Sequence, residues 1–194
     1  MLDTHARKFV EPILYSISKK FVDIGIKAMH VTFFAFVLGI VGAIALYLRI
    51  YILSIILLWL SGLFDAIDGN VARIRNEQSA LGAQFDILSD RIVELSYFWA
   101  LALNFKESVL AIMFLISMAF LSMTIFLTTG IISKNNTKKS FYYQAGLMER
   151  TEGFIATTIM ILFKSHLTIL AFIYACLILL TATERLIESI NLNY

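Results

Sequence analysis

Apolar residues run along the chain in blocks of bilayer length, parted by short polar gaps. The pattern predicts spanning helices at Val31–Leu48, Tyr51–Arg73, Leu81–Leu103, Ser108–Ser133, Glu152–Phe163 and Leu167–Ile190. All but the fifth reach the roughly 17–25 residues that a bilayer demands. The fifth is short unless it begins near Ala145. The gaps at Arg49–Ile50, Asn104–Glu107 and Lys164–His166 are tight, and the gap at Lys134–Arg150 is long and basic. Ahead of these, residues 1–25 follow a different pattern. From Pro12, suited to a first helical turn, Ile13, Leu14, Ile17, Phe21 and Ile24 keep one face apolar. Ser16, Lys19, Lys20 and Asp23 keep the other polar, and Gly25 can end the helix. Such a helix lies on a membrane surface, and Arg7, Lys8, Lys19 and Lys20 favour anionic lipid there. The expected fold is all-α and integral to the membrane: an amphipathic juxtamembrane segment at 1–25, then a six-helix transmembrane domain at 26–194 that carries the candidate chemistry.

Composition agrees. Of 194 residues, 59% are hydrophobic and 15% charged, against about 45–50% and about 25% in soluble domains. A single proline and unbroken apolar runs suit helices, not the alternating strands of a barrel. The lone Cys176 rules out an intrachain disulfide. A net charge of +2 gives no reason to expect nucleic acid, the amino terminus has no cleavable-signal pattern, and the lack of an internal repeat weakens a secondary-transporter reading. Six spans put the amino terminus, the 74–80 link, the 134–150 loop and the carboxyl tail on one side. That side gathers twelve Lys and Arg residues, from Arg7 to Arg185, against Arg49, Lys106 and Lys164 on the other. The positive-inside bias then sets it in the cytoplasm, as in a prokaryotic cytoplasmic membrane.

The exception to this apolar plan is the stretch Asp65 to Asp90, DAIDGNVARIRNEQSALGAQFDILSD. Asp65, Asp68, Gly69 and Ala72 share one helical stripe; Gly82, Asp86 and Asp90, at i, i+4, i+8, make a second. The short polar link from Ile74 to Ala80 makes the two helices antiparallel neighbours. Asp68 and Asp86 then sit at similar heights, with Asp65 and Asp90 deeper. Four acids gathered there cannot all be ionised without a counter-charge, because desolvation and mutual repulsion both oppose it. A divalent cation supplies the charge, and oxygen-only ligands favour Mg²⁺ or Mn²⁺ over Zn²⁺. The plainer alternative is an acid set solvated in a polar cavity or neutralised by Arg73, Arg75 and Arg91.

Written as Asp65-x-x-Asp68-Gly69-x-x-Ala72-Arg73, eight residues, Gly82-x-x-x-Asp86-x-x-x-Asp90, the stretch matches the signature of the CDP-alcohol phosphatidyltransferases at every position. The chain therefore resembles that family, whose members share an amphipathic amino-terminal helix, six spans and a similar size. The resemblance implies that a polar acceptor's hydroxyl attacks the β-phosphorus of a CDP-linked lipid and that CMP leaves. Two ions on Asp65, Asp68 and Asp86 would clamp the pyrophosphate. Asp90 would take the acceptor's proton and can also touch a metal. Gly69, Ala72 and Gly82 would let the CDP-lipid approach the backbone closely, and Arg73 would pair with phosphate or orient the carboxylates. Where the family commonly has Pro-Asn-x-x-Thr, this chain has Ala28, Met29 and Thr32. Only the threonine carries over as a CDP-lipid contact, and bonding back to its own helix is the default for its hydroxyl. Homodimers are usual in the family.

The segment from Lys139 to Phe154 looks like a stretch in one bacterial branch of the family. Its GLMERTE portion is similar to the corresponding part of phosphatidylinositol-phosphate synthases, and Arg185, in TATERLIES, matches their last-helix arginine. Lys134, Arg150 and Arg185 are thus candidates for an acceptor's phosphate, such as that of inositol phosphate or glycerol phosphate. Lys134 and Arg150 also satisfy the positive-inside bias without any ligand. Glu149 and Glu152 would bond acceptor hydroxyls or pair with Arg150, and Arg91 pairs with Glu94. The competing functions are a cation carrier using its intramembrane acids as an ion path, a polyprenyl-transferring membrane enzyme, and a CDP-lipid-binding protein without turnover.

Overall fold

The computed structural model describes residues 2–133 and 146–191. Seven helices follow in order: α1 Leu2–Asp23, α2 Ala28–Tyr47, α3 Tyr51–Arg75, α4 Ala80–Asn104, α5 Val109–Ser133, α6 Arg150–Leu162 and α7 Leu167–Asn191. Single 3-10 turns, Lys106–Ser108 and Lys164–His166, lead into α5 and α7. No strand occurs among the described residues.

Among the described residues, four stretches are long and apolar enough to cross a membrane: Ala28–Tyr47, Tyr51–Arg75, Lys106–Ile131 and Lys164–Ile190. Their large side chains are widely exposed, among them Phe33, Val41 and Ile44 on α2 and Ile52, Ile56 and Trp59 on α3. Water would penalise such a surface; lipid matches it. The remaining two of the six expected spans fall short for different reasons. α4 has the length, but Asp86, Asp90, Arg91 and Glu94 lower its hydropathy. α6 has 13 residues, about 20 Å of helix, because Gly146 to Glu149 ahead of it are not helical.

The chain divides into two compact units, Thr4–Asn104 and Phe105–Tyr194 with Met1–Asp3. In the first, α2 is the hub: α3 and α4 both pack closely on it and much less on each other. Two glycines explain how. A Cβ at Gly39 would run into the Val93 methyls, and one at Gly42 into the Tyr97 hydroxyl. Their bareness seats α4 against α2. Tyr97 continues past Gly42 to donate to Ser54 O on α3 at 2.9 Å. Asn104 Nδ2 donates to Leu46 O and Tyr47 O, 2.9 and 3.2 Å away, satisfying two end carbonyls of α2.

Helix α1 begins at Leu2 and not at Pro12, which lies within it; a single proline removes one backbone bond without ending the helix. Its end is the predicted one. Gly25 takes φ +87°, and Gly25 N–H and Ile26 N–H close onto Val22 O and Phe21 O, a Schellman cap. The turn returns the chain so that Leu14, Ile17, Phe21 and Val22 cover Val31, Ile67 and Val71. In the second unit α7 packs on α5 and on α6, and Ser108 and Thr168 hydroxyls share a 2.9 Å bond where α5 and α7 begin.

Candidate active site

The link between α3 and α4 is built from two local caps. Asn76 adopts φ 53°, and Asn76 N–H and Glu77 N–H bond back to Arg73 O and Ala72 O, ending α3. Ser79 Oγ then accepts Gly82 N–H at 3.0 Å and starts α4. Arg75 Nε pairs with Glu77 across the link at 2.9 Å.

Above this link, carboxylate oxygens of Asp65, Asp68 and Asp86 all lie within 4.8 Å of one another. The helix backbones stand apart here, so the side chains close the gap. These are the three acids expected to hold the ions, and Asp90 is not part of the set. Asp90 sits one turn beyond Asp86, near enough for the charges of Asp86 and Asp68 to act on it. Asp68 is buried, and Thr32 of α2 lies against its carboxylate. Thr32 Oγ1 also bonds back to Ala28 O at 3.1 Å, so the expected self-bond and a place at the site coexist.

The set fits a divalent cation. Asp68 Oδ2 and Asp86 Oδ1 are buried and have no hydrogen-bond partner among the described residues. Ionised carboxylates within 4.8 Å of one another repel pairwise by at least about 3.5 kcal/mol at an effective dielectric near 20. An octahedral ion with bonds of about 2.1 Å places opposite oxygens about 4 Å apart, so small rotamer changes would bring these oxygens onto one.

The glycines of the site differ from the packing pair on α2. A Cβ at Gly69 would meet only Arg73 Nη1, at 3.9 Å, and one at Gly82 only Ser79 Oγ, at 3.1 Å, among the described residues. No neighbouring helix requires them to be bare. Ala72, half-buried, and Arg73, exposed, continue the same stripe. Arg73 Nη2 donates to the buried Asn70 Oδ1, a contact that the i, i+3 spacing offered but that the sequence reading missed. Arg91 pairs with Glu94, as expected, next along α4 from Asp90 and close enough for both charges to act on it.

In the second unit, Arg150 opens α6 and lies over the Phe154 ring at 5.5 Å. Arg185 lies over Phe126 at 5.0 Å, with Nη1 3.4 Å from Ser122 Oγ. The segment before α6 is fastened to α7: Met148 N–H donates to Thr181 Oγ1 at 2.9 Å, and Gly146 N–H to Glu149 Oε1 at 3.4 Å. A Cβ at Gly146 would strike Thr181 and come 3.3 Å from Arg185 Nη2, so this glycine is bare for closeness. Arg185 thereby lies against the backbone that leads into Arg150. Lys134, the third expected phosphate ligand, is outside the described residues.

Fold and site define a helical membrane protein organised around a carboxylate set of cation-binding size. The model of the CDP-alcohol phosphatidyltransferase family matches residues 26–187, and the chain belongs to that family, a transferase of phospholipid synthesis. The inner membrane protein YnjF of Escherichia coli is 26% identical over 195 residues, covering 95% of this chain and 93% of its own. The archaetidylinositol phosphate synthase of Pyrococcus horikoshii is 30% identical over 98 residues, 50% of this chain and 52% of its own. Among solved structures, the phosphatidylinositol phosphate synthase of Mycobacterium tuberculosis with CDP-DAG bound superposes with a TM-score of 0.75 at 19% identity, over 92% of this chain and 94% of that one. The same synthase in complex with manganese and citrate gives 0.74 at 20% identity, over 91% and 88%. At these identities the likeness establishes the fold.

Proposed function

We propose that this enzyme transfers a phosphatidyl-type group from a CDP-linked lipid to an alcohol that itself carries a phosphate, releasing CMP. Supporting this are the three carboxylates within 4.8 Å, two of them with buried oxygens that have no partner among the described residues, beside glycines that no other described helix crowds. Asp65, Asp68 and Asp86 would hold Mg²⁺ or Mn²⁺, one ion or two. When bound, the metal would neutralise charge on the pyrophosphate and on the departing CMP.

The rest is the work of side chains. Gly69, Ala72 and Gly82 leave room for the nucleotide against the helix backbones, and Arg73, held by Asn70, meets its phosphates. Thr32 steadies Asp68. Asp90 takes the proton of the acceptor hydroxyl as that oxygen attacks the lipid-bearing phosphorus. Arg150 and Arg185, stacked on Phe154 and Phe126, hold the acceptor's phosphate, with Lys134 as a third cation. Stacking fixes each guanidinium plane, and a planar guanidinium suits paired bonds to phosphate. The named activities of the Pyrococcus and Mycobacterium relatives favour inositol phosphate as the acceptor. α4 and α6 complete a set of six membrane helices, with the acids facing the cytoplasm, where such an acceptor dissolves.

The test is CMP release by detergent-solubilised protein given CDP-diacylglycerol, Mg²⁺ or Mn²⁺, and one acceptor at a time. Turnover with inositol phosphate or glycerol phosphate, and none with inositol or serine, is the expected outcome. Release with an unphosphorylated alcohol alone would remove the phosphate pocket. Ion flux without CMP release would overturn the transferase reading.

A further inference from the structure

Between residues 11 and 23 of α1, Ser18 is the single buried side chain, with 0% of its surface exposed. It sits at the middle of the face whose Leu14, Ile17, Phe21 and Val22 cover Val31, Ile67 and Val71. Its hydroxyl donates to Ile67 O on α3 at 3.3 Å. Ile67 stands between Asp65 and Asp68, two members of the carboxylate set.

The bond is not needed to satisfy α3, because a mid-helix carbonyl already accepts the N–H four residues on. Nor does close packing require it. An alanine at the same point would allow the same approach with no hydroxyl to remove from water. What a directional bond adds is register: it fixes the height and rotation of the turn from Phe64 to Asp68 against α1. Apolar contacts alone permit some sliding, and a shift of an ångström matters to oxygens that must share an ion.

We propose that Ser18 is a positioning residue for the cation site. Through the Ile67 carbonyl it holds the turn that presents Asp65 and Asp68, which makes α1 a brace for the metal ligands as well as a membrane-surface helix. This rests on the reading that the carboxylate set binds a divalent cation.

The test uses the full-length protein in detergent, with Mn²⁺ binding followed by the free-ion electron paramagnetic resonance signal and folding by thermal unfolding. Ser18→Ala should raise the Mn²⁺ Kd about three- to tenfold, the scale of one hydrogen bond, with an unchanged Tm. Ile17→Ala removes packing from the same contact and keeps the bond; it should lower Tm and leave the Mn²⁺ Kd within about twofold. Ser18→Cys, close in size and a weaker donor, should fall between wild type and alanine, and it carries the test if the alanine variant fails to fold. Ser18→Ala binding Mn²⁺ as wild type does, or weakening in step with Tm across all three variants, overturns the proposal. A wild-type protein that binds no Mn²⁺ overturns this proposal together with the cation-site reading, whereas normal wild-type binding with an unaffected Ser18→Ala overturns this one alone.

Discussion

Gly69→Ala separates a glycine kept for a ligand from a glycine kept for packing. At Gly69 the added methyl has only Arg73 Nη1 within reach, at 3.9 Å, an ordinary van der Waals contact. The folded protein therefore accommodates it without strain. Alanine also costs less backbone entropy in a helix, an advantage of about 0.5–1 kcal/mol, which corresponds to a Tm rise of about 1–4 °C for a chain of this size. If the bare backbone exists for the nucleotide, the methyl lifts the CDP-lipid off α3, and its KM rises at least about tenfold, or about 1.4 kcal/mol. Stability and affinity should move in opposite directions. Gly42→Ala is the control, because its methyl would occupy the place of the Tyr97 hydroxyl and break the bond to Ser54 O. It should lower stability by about 1–3 kcal/mol. The assay pairs thermal unfolding in detergent with CMP release over a range of CDP-diacylglycerol concentrations. A Gly69→Ala enzyme with wild-type KM and kcat would falsify the assignment of this stripe to the nucleotide.

Asp86→Asn keeps shape and removes charge; it should weaken Mn²⁺ binding by more than the roughly 10–100-fold that a partner outside the ligand set costs, and a Kd near wild type removes Asp86 from the site. Asp90→Asn should cut turnover by about 10²–10⁴ while CDP-lipid still binds, measured by equilibrium binding; a near-normal rate means the base lies elsewhere. Arg185→Ala should raise the acceptor KM about 10–100-fold, the scale of charge-assisted bonds, with little change for CDP-lipid, and equal effects on both would place Arg185 outside the acceptor pocket.

Much of this was legible in the residues. Blocks of apolar sequence set α2, α3, α5 and α7, and the signature spacing points to Asp65, Asp68 and Asp86. The end of α1 at Gly25 followed from glycine alone. What the pattern missed has a common cause: it reports one helix at a time. Nothing within α3 or α4 announces that both are carried by α2, since that depends on Gly39 and Gly42 meeting Val93 and Tyr97, some fifty residues on. Ser18 escaped notice because a serine on an amphipathic helix reads as polar-face residue, and only the docking of α1 on Ile67 shows it at the centre of the apolar one.

The glycines also explain how α3 and α4 can carry acids and still hold together. Where Gly39 and Gly42 lie, protein fills the space: Val93 and Tyr97 descend onto α2, Tyr97 goes on to Ser54, and Asn104 ties off the end of α2. Where Gly69 and Gly82 lie, no other described helix comes within reach of an added Cβ, and α3 and α4 face each other there across carboxylates that repel one another. A bundle packed equally along its length would have no opening for a nucleotide; one open along its length would not hold the acids in register. Anchoring α4 at the Tyr97 end leaves the aspartate end to be closed by a cation and a ligand. Binding at the acids should accordingly stabilise the first unit as a whole, since α3 and α4 have little else in common there.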